Sequence, residues 1–163
     1  MNIFYLDKDP QIAAQMACDR HVLSGIREMT IMLSYVGAPP RKGYYHHKCS
    51  KWIRESVENY MWAAFHAFYL CYEYTYRYGR VHKNLDIIQD HMSNDYLIME
   101  KGKSTPIPLA MPEDCRLDDP VQSYRNYYLK YKQHLLTYTR REIPEWIQSA
   151  GLGTWKEAKC LKN

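Results

Sequence analysis

Apolar side chains recur at three-, four- and seven-residue steps along most of this chain, the period of a helix with one buried face. Ile12, Met16, Leu23, Ile26, Met29 and Leu33 mark the first stripe, and Asp9 and Pro10 ahead of it supply an N-cap and a first-turn proline. The spacing predicts a helix over residues 10–35, with Gly25 as a place for a bend or a close neighbour. Gly37, Pro39, Pro40 and Gly43 then break the pattern. Ser50 reads as the cap of a second long helix, whose stripe runs through Ile53, Val57, Tyr60, Ala64, Phe68, Cys71 and Tyr78 to a stop at Gly79. A shorter third helix covers Leu85 to about Met92, with a looser continuation to Met99. Pro106, Pro108 and Pro112 make residues 101–119 an extended connection. Asp119 and Pro120 repeat the cap signal, and Val121, Tyr124, Tyr128, Tyr131, Leu135 and Tyr138 predict a fourth helix to about Arg141. A last turn follows Pro144.

The run from Asn2 to Leu6 suits one short N-terminal β-strand or a plug for the core. Residues 151–163, with glycines and lysines, read as a weakly ordered C-terminal tail. The expectation is therefore a mainly α single domain of four or five helices over residues 1–150. A length of 163 residues agrees with one domain, and 46% apolar with 25% charged residues excludes disordered and fibrous classes. No apolar run reaches the roughly 18 residues of a membrane span, and the first residues lack the segments of a signal peptide. The expected setting is cytoplasmic, without a membrane partner.

A formal net charge of +4 permits nucleic-acid binding without requiring it. Tyrosine is the sharper anomaly, with 16 Tyr against 3 Phe. Its ring is apolar and its end is polar, which suits core edges, interfaces and base stacking. Five widely spaced cysteines, Cys18, Cys49, Cys71, Cys115 and Cys160, do not look like a disulfide framework and are read as reduced thiols.

Gly102, Lys103, Ser104 and Thr105 imitate the end of a phosphate-binding loop, but Leu97 stands where a glycine is required and prolines replace the following helix. Cys18 and His21, with His46 and Cys49, give two ligand pairs at a two-residue gap, a zinc-like pattern weighed against buried thiols with polar histidines. Zinc is not the favoured cofactor, and no other is implied. Asp19, His21, His47 and Glu55 are the candidate acid–base groups, since a histidine oriented by a carboxylate moves protons near neutral pH. The alternative reading of Asp19, Glu55 and Arg54 is that they are solvated or mutually paired helix-surface charges. Arg54, Arg77, His82, Lys83 and Arg125 are the candidate phosphate-holding groups. Around them Tyr74, Tyr76 and Tyr78 interleave with Arg80, and Arg140 and Arg141 lie further on. A solvated basic helix end explains the same charges, because cations favour helix C-termini.

The opening from Met1 to Pro10 with Cys18, Asp19 and His21, the stretches Trp52–Ser56 and Tyr78–Lys83, and Ala110–Pro112 with Asp118–Pro120 resemble a small family of uncharacterised proteins from tailed bacteriophages and some bacteria. The similarity runs along nearly the whole chain. Arg20, Ser24 and Ile31 depart from the family's first helix, which has lysine, a basic residue and glutamine in those places. The resemblance implies a phage setting, in which small accessory proteins modify, repair or protect nucleic acid or counter host defence. Two functional expectations follow, the first favoured and the second its alternative. One is an accessory enzyme on nucleic acid or nucleotides, cleaving a base, glycosidic or phosphodiester bond, with Asp19, His21, His47 and Glu55 gathered round one pocket. The other is a noncatalytic module binding nucleic acid or a host protein, with those residues scattered and an aromatic surface exposed.

Overall fold

The computed structural model of the protein describes residues 1–99 and 101–158. Its elements are α1 (Pro10–Met16), α2 (Asp19–Leu33), α3 (Lys48–Glu55), α4 (Val57–Tyr78), α5 (Leu85–Asn94), α6 (Pro120–Tyr131), β1 (Thr137–Thr139), α7 (Glu145–Gln148) and β2 (Thr154–Lys156). The mainly helical single domain that the periodicity implies is what the chain forms. The long helix α4 is its axis, with α1, α2, α3 and α5 packed against it. Gly25 permits a close approach of α2 to α4, since a Cβ there would lie 3.0 Å from Leu70 Cδ1.

The local helix signals at Asp9, Asp119 and Gly79 hold. The Asp9 carboxylate accepts from the amides of Gln11 and Ile12, and Asp119 accepts from the amide of Val121. Gly79 ends α4 in the left-handed conformation at φ 66°, its amide donating to Thr75. Tyrosine supplies much of the interior: Tyr60, Tyr124, Tyr128 and Tyr138 are fully buried, and each hydroxyl finds a partner.

Four expected elements differ. Residues 1–6 form no strand; Ile3 and Leu6 are buried and plug the core. The first helix breaks at Ala17 and Cys18, which are extended. Its freed carbonyls are taken by distant donors, Gln15 by Arg77 at 3.0 Å and Met16 by the Tyr138 hydroxyl at 3.1 Å. The second helix starts three residues earlier than expected, with His47 rather than Ser50 as its cap, and breaks at extended Ser56. There Ser56 Oγ accepts from the Asn59 amide, while Asn59 Nδ2 donates to the Trp52 carbonyl at 2.9 Å. Finally, α6 stops at Tyr131, and Thr137–Thr139 become β1, paired in parallel with β2 in the register Tyr138 to Trp155. Part of the expected tail is thus a strand, and residues 159–163 of that tail lie outside the described residues.

Candidate functional site

Where α1 gives way to α2, four charged side chains meet. The Arg77 guanidinium, fully buried near the end of α4, lies 3.0 Å from Asp19 Oδ1 and 3.0 Å from Glu73 Oε2. Glu73 in turn accepts from Arg141. Asp19 Oδ2 takes the Thr139 hydroxyl at 2.7 Å, and Oδ1 takes the Thr139 amide at 3.0 Å. Two acids and two guanidiniums neutralise one another, and together they fasten β1 to the helices.

Arg77 and Thr139 also line a cavity of about 610 Å³. Leu23, Tyr74 and Tyr78 supply its apolar and aromatic wall, and Arg80, Arg140, Lys156 and Glu157 its charged rim. Three backbone devices bring those cations together. The Gly79 cap ends α4, so that Arg80 follows directly from the turn. Arg140 has φ 58°, the single non-glycine residue with positive φ among the described residues, and its amide donates to the Lys156 carbonyl at 2.9 Å. The parallel ladder sets Lys156 opposite Thr139. Arg80, Arg140 and Lys156 are exposed, and none has a carboxylate within ion-pair distance among the described residues. Strained backbone beside converging like charges is the kind of local expense that functional sites carry.

The acid–base candidates do not gather in this cavity. Asp19 is held by Arg77 and Thr139. His21 is in the core, stacked on Phe4 at a ring distance of 3.9 Å, with Nδ1 2.6 Å from the Tyr128 hydroxyl. Burial, reinforced by Lys132 and Arg20, brings its pKa down to about 3. His47 Nδ1 accepts from the Cys49 amide at 3.3 Å, and partial burial, the N-terminal ammonium and Lys48 lower its pKa. Glu55 accepts from the Thr105 hydroxyl at 2.9 Å. No hydrogen bond joins any two of the four among the described residues. Ser104, in the loop-like motif, turns its amide to the Glu58 carboxylate at 2.7 Å instead of leaving it free for a phosphate.

Of the phosphate candidates, Arg77, His82 and Lys83 lie at the cavity end of α4. His82 packs edge-on against Tyr74 at 5.0 Å, its Nδ1 accepting from the Asn84 amide. Lys83 is exposed beside it. Arg54 and Arg125 serve elsewhere. Arg54 donates to the Tyr45 carbonyl at 2.8 Å and lies 3.9 Å from the centre of that ring, while Arg125 holds the Leu6 carbonyl and Asp7.

Cys18, His21, His46 and Cys49 form no metal set: no three His, Cys, Asp or Glu side chains come together as one among the described residues. Burial pushes the Cys18 and Cys49 thiols up, away from the thiolate that a metal needs. Cys71 and Cys115 are likewise free and buried. On the outward side of α4, Phe65 stacks with Tyr69 and Phe68 lies against Tyr72, in line with exposed Tyr76.

Lys156, like its rim neighbour Glu157, is a residue that sequence reasoning missed. It belongs to the stretch expected to be a tail, and only pairing with a strand seventeen residues earlier reveals its place. Compared with family models, curated proteins and solved structures, the chain matches none of them.

Proposed function

We propose that the protein is a noncatalytic binder of nucleotide or nucleic-acid phosphate, and that the cavity between the end of α4 and the β1–β2 pair is where it binds. The observation that carries this reading is the rim of Arg80, Arg140 and Lys156, three exposed cations set round a wall containing Tyr74 and Tyr78. Phosphate oxygens satisfy such cations, and a base can lie against the phenol rings. Binding is preferred to bond cleavage because Asp19, His21, His47 and Glu55 are each engaged in holding the fold, Asp19 by a buried arginine and His21 by a closed aromatic stack. In a phage setting, such a binder would act as an accessory or anti-defence protein.

The test is fluorescence anisotropy with a 3′-labelled single-stranded oligonucleotide, at two salt concentrations. Binding that weakens with salt, and that is lost in Arg80→Glu/Lys156→Glu while the far-ultraviolet circular dichroism is unchanged, supports the reading. Equal binding by the variant and the parent defeats it.

A further inference from the structure

Resting on that reading, we infer that the cavity takes a single nucleotide unit carrying a terminal phosphate monoester, whether free or at the end of a strand. The first argument is charge. The rim holds three cations and one carboxylate, Glu157, while Arg77 behind it is already neutralised by Asp19 and Glu73. The balance is two positive charges gathered at one place. A terminal phosphate monoester carries about −1.5 to −2 at neutral pH, whereas an internal diester carries a single charge. The monoester is the better counterpart.

The second argument is shape. A cavity of about 610 Å³ is the size of a small-molecule site. Tyr74 and Tyr78 come from the same face of α4, one turn apart with ring centres separated by 5.1 Å, and Leu23 completes an apolar wall. That wall offers one base a surface. Glu157 sits on the same rim, an acceptor for a ribose hydroxyl or a base amine, and it repels a second phosphate.

The third argument is cost. Arg140 occupies a left-handed conformation that disfavours side chains, and its amide is pinned to Lys156. The two backbones are thereby held in place before any ligand arrives, which lowers the backbone entropy lost on binding.

Isothermal titration of the full chain with a nucleoside, its 5′-monophosphate, inorganic phosphate, and a ten-nucleotide strand with 5′-phosphate or 5′-hydroxyl separates the outcomes. The monophosphate is expected to bind roughly tenfold or more tightly than the nucleoside and than inorganic phosphate, since charge-assisted bonds and the ring each contribute. Binding by the 5′-phosphorylated strand over the 5′-hydroxyl strand identifies a strand end as the source; binding by the monophosphate alone identifies a free nucleotide. Arg80→Glu and Lys156→Glu, both exposed, should abolish the preference. Equal binding of the two strands overturns this inference and leaves nucleic-acid binding standing. Binding of inorganic phosphate as tight as the monophosphate overturns it too, and no binding of any ligand overturns both readings.

Discussion

Arg77 and Asp19, 58 residues apart in sequence, meet at 3.0 Å, with the arginine wholly out of water. This pair ties the end of α4 to the start of α2, and through Thr139 it also fixes β1. Removing the carboxylate leaves a buried guanidinium with Glu73, which Arg141 shares, as its one carboxylate partner among the described residues. Asp19→Ala is expected to destabilise the protein by about 3 kcal/mol, because an uncompensated buried charge is far worse than a lost surface pair. Urea unfolding followed by circular dichroism measures this. A change below about 1 kcal/mol would mean that the network is not what holds this corner.

Two buried histidines make stability fall on acidification. His21 is held down to about 3 and His66 to about 4, in both cases mainly by burial. In the unfolded chain each titrates near 6.5. As pH drops below that value the unfolded state takes up protons that the native state refuses. Stability is therefore full above about pH 6.5 and declines toward pH 4, by roughly 1.4 kcal/mol per pH unit for each histidine. His66→Phe keeps the stack on Trp62 but removes one titration. The difference in urea midpoint between parent and variant should be steeper between pH 6 and 5 than between pH 8 and 7; a difference that is flat with pH contradicts the assignment.

What could be read from the residues follows the distance over which each signal acts. Asp9, Asp119 and Gly79 act within a turn of their own positions, and their caps are where the pattern put them. The breaks at Cys18 and Ser56 were hidden, because the apolar stripe continues across both. At the first, Tyr138 and Arg77 supply donors from far along the chain to carbonyls a continuous helix would have used, and at the second the Asn59 side chain, itself bonded to Thr105, takes the Trp52 carbonyl. The same reason hid the strands, three residues each, which no short window distinguishes from loop. For the site, the tyrosine and arginine composition around residues 73–83 points to the end of α4 where the proposed cavity lies. The acid–base set rests on segment proximity alone, and its members serve an ion pair, an aromatic stack, a helix cap and a hydrogen bond from Thr105.

Ser56 carries the second break. Its hydroxyl accepts from the Asn59 amide at 3.1 Å at the start of a 22-residue helix. Ser56→Ala removes that cap and is expected to lower stability by about 1 kcal/mol. Ser56→Thr restores the acceptor but adds a methyl where Gly102, whose missing Cβ would lie only 3.1 Å from Ser56 Cβ, crosses. The threonine variant should therefore recover less than the full loss. Complete recovery, read as the urea midpoint, would show that the crossing loop yields at no expense.

Arg140 offers the clearest separation of stability from binding. Its positive φ disfavours any side chain by about 1 kcal/mol or more, so Arg140→Gly should relieve strain and leave the fold equally stable or up to about 1 kcal/mol more stable, even after the glycine's greater freedom in the unfolded chain is counted. The same change deletes one of three rim cations, and affinity for a 5′-monophosphate should fall by roughly tenfold. Arg140→Lys keeps both the strain and the charge, and should stay near the parent in stability while binding less tightly than arginine, since a point charge replaces a planar fork. A glycine variant that is both less stable and unimpaired in binding would place the strain outside the function and make Arg140 a purely architectural residue.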